Sequence, residues 1–413
     1  MNFTDRTLRE IASFSPLDVM LADIAVRIQL SPTDYQRAID HYHAIHEWIE
    51  REGSPLFGLV DEFYGQGGFA IGATVARHAT DDEFDIDVMA QLGLRHDVDP
   101  EMPLSLMDKA IRDKPGSRYH DKVDRKTRCS TVYYTGMHLD VTPAVRLISR
   151  TEKTSFIFHS KPEAPAEPKM SLFANPFGFA QWFMEMTPPD EAFGVFFERR
   201  SLDYARMTLM EKADAAPVPD QMPAYRKSRP VIALQLIKRW RNLAYDRRYK
   251  NLRRPPSVLL SYYVARNANR TATLADELIY QVDAMVAALV EAERRGETLR
   301  EFNPRCPDDE LTDRWPCDLA EQRLFTDELR AFTVRLHRLR EGVPLAEMQR
   351  ILEDLFGERP ARDAIHKYMD QHVSDNQTGK ALHILRTGSI PALGSAAMPA
   401  IARATPKSTP FGD

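Results

Sequence analysis

Residues 64–89 read YGQGGFAIGATVARHATDDEFDIDVM, and this stretch decides the fold. It begins with a glycine-rich segment that contains Gly67 and Gly68, and it ends in an apolar run that carries Asp85 and Asp87. Side chains two positions apart in a β-strand point to the same face, so a strand here would present both carboxylates together. The stretch therefore predicts a glycine-rich loop that leads into a strand with two adjacent acids.

The pair Asp85 and Asp87 needs a chemical explanation, because neighbouring carboxylates repel each other and an apolar strand tolerates them poorly without a cation. Magnesium takes oxygen ligands and commonly bridges carboxylates to substrate phosphates, which would remove the repulsion. The glycines would expose backbone N–H groups that can surround a phosphate. Taken singly, each motif has a simpler interpretation, since most glycine-rich loops are turns and a D-x-D pair often lies on a solvent-facing strand.

A third acid, Asp140, lies in a similar apolar alternation, MHLDVTPA, at residues 137–144. If that segment forms the neighbouring strand, Asp140 lies beside the first pair. Three carboxylates can hold two metal ions about 4 Å apart, which stabilise the attacking and leaving oxygens of an in-line phosphoryl displacement. Asp140 would then help to deprotonate the attacking hydroxyl through its metal. Since the three motifs occur together, we predict that Asp85, Asp87 and Asp140 form a catalytic site with two Mg²⁺ ions.

The order of these motifs resembles the polymerase-β-type nucleotidyltransferase superfamily, and most closely its cGAS/DncV-like branch, the CD-NTases. The likeness continues in NPFG at 175–178, LQLIKRW at 234–240, PPSVLL at 255–260 and the N-P pair at 303–304. It implies an α+β fold: a polymerase-β-like nucleotidyltransferase core with a mixed sheet, joined to an α-helical C-terminal lobe across a central cleft.

The resemblance also implies roles for four residues outside the acids. Gly67 and Gly68 match the pair that contacts the nucleotide triphosphate, and Lys238 and Ser257 match the positions from which the helical lobe reaches the phosphates. The second residue of the pair is often Ser in this family, so at Gly68 that contact must come from a backbone N–H or from elsewhere. Without the resemblance, Lys238 would be interpreted as a surface lysine whose stem covers an apolar stripe.

The pattern of the chain divides it into five parts. Helical spacing dominates at the N-terminus and in the second half, and short apolar runs typical of strands lie between them. The last residues are rich in Ala, Ser, Thr, Pro and Gly, which predicts a flexible tail. We predict N-terminal helices at 1–54, the nucleotidyltransferase core at 55–160, an irregular connection at 161–228, the helical lobe at 229–375 and the tail at 376–413.

The distribution of charge indicates a phosphate-bearing ligand. The chain of 413 residues has a net charge of −5, which argues against a nucleic-acid coat protein. Residues 226–254 nevertheless hold eleven Lys or Arg against one acid, and residues 109–128 hold eight Lys or Arg. Such concentrations suit a phosphate ligand or a solvated surface.

Several features favour a cytoplasmic protein without a membrane anchor. Three cysteines do not suggest a disulfide framework. The charged N-terminus lacks the apolar stretch of a signal peptide, and no apolar run approaches the ~20 residues that span a bilayer.

The resemblance implies an enzyme that joins NTPs, ATP and/or GTP, into a cyclic di- or trinucleotide and releases pyrophosphate. Its setting would be CBASS antiphage signalling, in which the product activates a separate effector protein. The tail is compatible with conjugation of the C-terminus by a partner enzyme, and equally with an unused disordered end.

Two other functions are consistent with the sequence. The first is nucleotidyl transfer to an RNA or protein acceptor, with the two basic stretches serving as an RNA track. The second is a catalytically silent sensor of nucleotides or nucleic acid. Retention of all three carboxylates argues against a silent site, because such a site has no need for a cluster of like charges.

Overall fold

The computed structural model describes residues 14–76, 84–148, 150–164, 166–211, 227–269, 272–378, 382–384 and 402–404. These residues form two lobes, each with its own large hydrophobic core. The first lobe is built on a mixed sheet and the second on helices, in agreement with the predicted fold class.

Two helices precede the sheet, and they contribute to different cores. Helix α1 spans Pro16–Ile28 and helix α2 spans Pro32–Ile49. Helix α1 is buried in the helical lobe, whereas α2 packs against the sheet. The predicted unit 1–54 is therefore divided between the two lobes.

A seven-stranded sheet forms the first lobe. Its strands are β1 (Val60–Gln66), β2 (Phe84–Leu92), β3 (Val123–Arg125), β4 (Ser130–Tyr134), β5 (Met137–Arg146), β6 (Ser155–His159) and β7 (Met170–Ala174). Strands β2 and β5 are parallel, and the spatial order is β1-β2-β5-β4-β3, with β6 pairing to both β5 and β7. Helix α3 (Gly67–Ala70) follows β1, and α4 (Glu101–Arg112) follows β2. The sheet extends beyond the predicted core boundary at residue 160.

The second lobe is helical. Its described helices are α5 (Pro176–Met186), α6 (Glu191–Glu211), α7 (Arg229–Arg248), α8 (Ser257–Arg266), α9 (Leu274–Arg294), α10 (Leu319–Glu341), α11 (Leu345–Phe356) and α12 (Glu358–Thr378). Helix α7 runs through the middle of the lobe, where every residue from Pro230 to Tyr245 is buried. A hairpin of β8 (Phe302–Asn303) and β9 (Cys306–Glu310) lies beside β7.

The segment 161–228, predicted to be irregular with short helical pieces such as one that contains Trp182 and Phe183, contains strand β7, helix α5 with these two residues, and a helix of 21 residues, α6. Phe193 and Phe197 of α6 lie one helical turn apart, are fully buried and stack with ring centroids 6.0 Å apart. Proline-rich stretches flank this helix and dominate the sequence pattern of the connection, so the helical spacing of its phenylalanines is easily overlooked. The structure corrects the prediction here.

A buried ionic cluster joins three helices of the second lobe. Asp23 of α1 has no exposed surface and forms an ion pair with Arg200 of α6. Its Oδ1 atom also lies 3.1 Å from Nζ of Lys367 in α12 and 3.7 Å from Nη1 of Arg27. Since a buried charge must be compensated, Asp23 ties α1 and α12 to α6.

Most of the predicted tail 376–413 lies outside the described residues. Helix α12 ends at Thr378, and the short strands β10 (Leu382–Ile384) and β11 (Ala402–Ala404) pair in antiparallel fashion. Within the described ranges, no helix has both the length and the hydrophobicity needed to cross a bilayer.

Candidate active site

The three predicted carboxylates lie next to one another on adjacent strands. Strand β2 presents Asp85 and Asp87, both half-buried, on one face, while its alternating apolar residues are buried on the other. Parallel pairing with β5 sets Asp87 directly opposite Asp140. Neighbouring strands are separated by about 4.8 Å, so the three carboxylates share one small area of the sheet.

The pairing register forms a row across four strands. Gln66 of β1 pairs with Asp87, Asp87 with Asp140, and Asp140 with Thr131 of β4. The Thr131 hydroxyl donates a hydrogen bond of 2.5 Å to Oδ1 of Asp140. Nothing in the local sequence singled out Thr131, because its role depends on the pairing of β4 with β5. The threonine holds Asp140 in a fixed orientation.

The chemistry of these donors suits magnesium. Carboxylate oxygens are its preferred protein ligands, whereas transition metals favour nitrogen and sulfur. Among the described residues, no three His, Cys, Asp or Glu side chains converge as a ready-made metal cluster. Magnesium needs no such cluster, since one or two carboxylates commonly hold it while water and substrate phosphates complete the shell. Asp85, Asp87 and Asp140 therefore fit a magnesium ion that is completed by a nucleotide.

The glycine pair leaves space that other residues fill. Gly67 has φ +57°, and a Cβ atom at this position would lie 2.7 Å from Oδ2 of Asp87. A Cβ atom at Gly68 would lie 2.8 Å from Nζ of Lys238. Glycine at position 68, where the resembled family often has Ser, thus gives the lysine room to approach the loop.

Lys238 reaches the cleft from the buried helix α7. Its side chain is 6% exposed, and Nζ donates a hydrogen bond of 2.7 Å to the carbonyl oxygen of Ala73. Burial, followed by the charge of Arg241, lowers the pKa of Lys238 to about 8, although Asp87 and Asp85 act in the opposite direction. The ammonium group therefore lies close to the carboxylates and to the glycine-rich loop.

Ser257 is held by an arginine that the sequence did not single out. Ser257 begins α8, and its Oγ accepts a hydrogen bond of 3.1 Å from Nη2 of Arg241. Nη1 of the same arginine donates to the carbonyl oxygen of Pro255 at 2.6 Å. Arg241 follows Lys238 by three positions on α7, so the two cations lie on the same side of that helix. Burial lowers the pKa of Arg241 to about 9.

All seven residues predicted from the sequence line one cleft between the lobes, with a volume of about 720 Å³. This volume is typical of sites for small molecules and cofactors. The remaining walls come from β6, β7, α5 and the segment 303–315. The cleft thus brings carboxylates from the sheet opposite cations from the helical lobe.

Several basic residues of the stretch 226–254 make contacts inside the protein. Lys227, Lys238, Arg239 and Arg241 each donate a hydrogen bond to an acceptor inside the protein. The last three of these are buried, and two of them line the cleft. These residues therefore supply core contacts and one wall of the cleft, whereas Arg247, Arg248, Lys250 and Arg253 are exposed.

The two N-P motifs meet at the junction of the lobes. Oδ1 of Asn175 accepts a hydrogen bond of 2.7 Å from the N–H of Gly178 and so caps α5. Nδ2 of Asn303 donates to the carbonyl oxygen of Asn175 and to Oδ2 of Asp309, both at 2.9 Å. Burial raises the pKa of the Asp309 carboxyl. These buried contacts attach the hairpin β8–β9 to the start of α5.

Comparison with known proteins identifies close relatives. Residues 61–143 match the model of the family described as the nucleotidyltransferase domain of cyclic GMP-AMP synthase DncV-like proteins. The chain is 37% identical over 369 residues to the cyclic dinucleotide synthase CdnG of Bradyrhizobium diazoefficiens, covering 88% of this chain and 86% of that protein.

Solved structures share the architecture. B. diazoefficiens CdnG in complex with GTP matches with a TM-score of 0.73 and 36% identity over 86% of this chain and 98% of that chain. CdnC of E. coli MS115-1 with ATP matches with a TM-score of 0.53 and 12% identity over 82% of this chain and 96% of that chain. The second match supports the fold alone, and both agree with the predicted two-lobed nucleotidyltransferase architecture.

Proposed function

The chain belongs to the cGAS/DncV-like family of nucleotidyltransferases, the CD-NTases, and we propose that it joins ribonucleoside triphosphates into a cyclic di- or trinucleotide. The observation that carries this proposal is the relationship to CdnG, which is a cyclic dinucleotide synthase. GTP is the first substrate to test, because that relative has been solved with GTP. ATP is the second.

The proposed reaction is an in-line displacement at phosphorus. A ribose hydroxyl of one nucleotide attacks the α-phosphorus of another, and the new O–P bond forms as the bond from phosphorus to the α–β bridging oxygen breaks. Pyrophosphate leaves with that electron pair, and the hydroxyl proton passes to the Asp140 carboxylate. A second transfer of the same kind closes the ring of a dinucleotide, and a third closes that of a trinucleotide.

The two lobes would contribute different groups to the reaction. Asp85, Asp87 and Asp140 would hold two Mg²⁺ ions, which polarise the α-phosphate and lower the pKa of the attacking hydroxyl. Gly67 and Gly68 would turn backbone N–H groups towards the triphosphate of the donor nucleotide. Lys238 and Ser257 would bind the same triphosphate from the helical lobe, and Arg241 keeps Ser257 in position.

A direct assay tests the proposal. Incubation with magnesium and labelled ATP and GTP should yield a small product that resists phosphatase, and mass spectrometry should identify it as cyclic. Label on RNA or on protein would instead support the acceptor-modifying alternative. Nucleotide binding without turnover would support the silent sensor.

Membership of the family supports a proposal for the biological setting. We propose that the enzyme acts in the cytoplasm, where NTPs are available, and that its product activates a separate effector protein in CBASS antiphage signalling. A conjugating partner at the C-terminal tail is a further proposal, which deletion of residues 405–413 would test through loss of a covalent adduct in cells.

Binding of the triphosphate should weaken as pH rises through about 8. With a pKa of about 8, Lys238 is largely protonated at pH 7 and loses its proton above pH 8, so fewer protein molecules carry the charge that the phosphates need. The Kd of a non-hydrolysable GTP analogue should increase about tenfold from pH 7 to pH 9, because only the protonated fraction is competent. Isothermal titration calorimetry measures this change. Lys238→Met should bind weakly at both pH values, and an equal pH dependence in this variant would contradict the assignment.

Gly67→Ala should impair activity more than it impairs stability. The left-handed backbone costs about 1–2 kcal/mol for a residue with Cβ, and the added methyl displaces the Asp87 carboxylate. A displacement of this size should reduce the rate by about 10²-fold. Gly116→Ala is the control: φ at Gly116 is +81°, and among the described residues nothing lies within 4 Å of the added Cβ. Both variants should lose similar thermal stability, but Gly116→Ala should remain active; equal activity of the two would exclude the Asp87 contact.

A further inference from the structure

A second group of positive charges lines the cleft near β4. Arg128 lies just before β4, Arg253 in the loop before α8, and Arg314 after the hairpin β8–β9. We call these three residues the rim arginines. The ion pair of Arg128 with Asp313 places Arg128 beside the residue that precedes Arg314. Burial, followed by the charges of Arg128 and Arg253, lowers the pKa of Arg314 to about 10.

The positive charge of the rim arginines exceeds the negative charge of the carboxylates that pair with them. Arg128 forms an ion pair with Asp313, and its Nε donates to Nδ1 of His159 at 3.2 Å. Across the residues that the structure describes, neither Arg253 nor Arg314 forms a hydrogen bond or an ion pair with a protein group. Three arginines, of which Arg253 is exposed, thus line this part of the cleft, and Asp313 is the carboxylate paired with one of them.

The other acids of this wall are already engaged. Asp308 pairs with Arg150, and Glu310 pairs with Arg300. Oδ2 of Asp309 accepts the hydrogen bond from Asn303 described above. These acids therefore do not neutralise Arg253 and Arg314. Guanidinium groups that gather without carboxylates commonly bind phosphate, which they hold through two parallel N–H donors.

The rim arginines are separated from the glycine pair by the carboxylates. In the sheet order β1-β2-β5-β4, Gly67 follows the end of β1 and Arg128 precedes the start of β4. Three strand spacings correspond to about 14 Å across the sheet. Asp85, Asp87 and Asp140 lie on the strands in between. Two sets of cations therefore lie on opposite sides of the carboxylates, with Asp140 on the side of the rim arginines.

We propose that the rim arginines bind the 5′-phosphate chain of the acceptor nucleotide and so direct its ribose hydroxyl towards Asp140. This inference rests on the proposed function, in which two nucleotides occupy the cleft together. The donor triphosphate uses the glycine pair and Lys238, so the phosphates of the second nucleotide need cations of their own. Among the described residues of the cleft, Arg253 and Arg314 are arginines without a protein partner.

The test separates the acceptor from the donor. 2′,3′-Dideoxy-GTP serves as donor only, because it has no hydroxyl that can attack. Guanosine, GMP and GDP serve as acceptors only, because they lack a triphosphate. With the wild-type enzyme, the KM of the acceptor should fall at least about tenfold from guanosine to GDP, as expected for charge-assisted hydrogen bonds. The double variant Arg253→Ala/Arg314→Ala should lose this preference and keep the KM of guanosine and of the dideoxy donor.

The controls are a surface arginine variant and a double lysine variant. Arg330→Ala removes an exposed arginine of α10 that pairs with Asp327, and it should keep the wild-type preference. Arg253→Lys/Arg314→Lys should restore part of the preference, and thermal melting should show that all variants fold. A double alanine variant that still prefers GDP, or one in which only the KM of the donor rises, would overturn the inference. If the wild-type enzyme forms a cyclic product from NTPs but does not prefer GDP to guanosine, this inference fails alone; if it forms no product from NTPs, the proposed function fails.

Discussion

Asp87→Asn is expected to reduce nucleotide joining by a factor of 10³ or more, on the order expected when several kcal/mol of transition-state stabilisation are lost. Asp87 lies at the centre of the row formed by Gln66, Asp87, Asp140 and Thr131, with Asp85 on the same face two positions away. The amide keeps the shape of the side chain but removes the charge that would hold magnesium. Release of pyrophosphate and formation of labelled product measure the effect.

Although Asp87→Asn should lower activity, it should not lower thermal stability. Removing one of three like charges relieves their repulsion, so the thermal midpoint should stay constant or rise. Asp97→Asn is the control, since Asp97 is an exposed acid of the same lobe that pairs with Arg95. It should keep full activity. An Asp87→Asn enzyme within tenfold of wild type would refute the assignment of this carboxylate to catalysis.

Asp23→Asn should be the most destabilising of the substitutions considered. The carboxylate is fully buried and is paired with Arg200, Lys367 and Arg27. Loss of one partner from a buried ionic cluster typically costs about 3–5 kcal/mol, because the remaining charges stay buried without compensation. Urea denaturation followed by tryptophan fluorescence would measure the loss, since Trp240 lies in the core of the same lobe.

The matched control for this substitution is Asp327→Asn. Asp327 makes the same kind of pair with Arg330 on the surface of α10, where both side chains are more than half exposed. Exposed pairs contribute about 0–1 kcal/mol, so this variant should unfold almost like the wild type. Equal effects of the two substitutions would show that the Asp23 cluster does not hold α1 and α12 in place.

The strand that carries Asp85 and Asp87 could be predicted from the sequence because its signals are local. Alternation of apolar and acidic residues indicates a strand with both aspartates on one face, and the strand β2 has this pattern of burial. The glycine-rich loop is a local signal of the same kind, and its Gly67 has the positive φ that favours glycine. Lys238 and Ser257 depended on resemblance to a family, because a lysine in an apolar helix has more than one interpretation.

Other parts of the site depend on contacts between segments far apart in the chain. Thr131 bonds Asp140 through the pairing of β4 with β5, and Arg241 bonds Ser257 through the packing of α7 against α8. Arg128 pairs with Asp313, the neighbour of Arg314, although the two segments are far apart in the chain. Spacing along the sequence carries no information about such pairs. Helix α6 is longer than the short helical pieces that the sequence indicates, because its proline-rich flanks dominate the local pattern.

The sequence by itself determined that Asp85 and Asp87 share one face of a strand, since the period of two is a property of the backbone alone. It also determined the division into a strand-bearing part and a helical part, because hydrophobic periodicity is local. Only the tertiary structure decided that Asp140 lies opposite Asp87 and that Lys238 approaches Gly68. The register of parallel strands and the packing of a helix on a loop depend on contacts between segments that are far apart in the chain. No local pattern specifies such contacts.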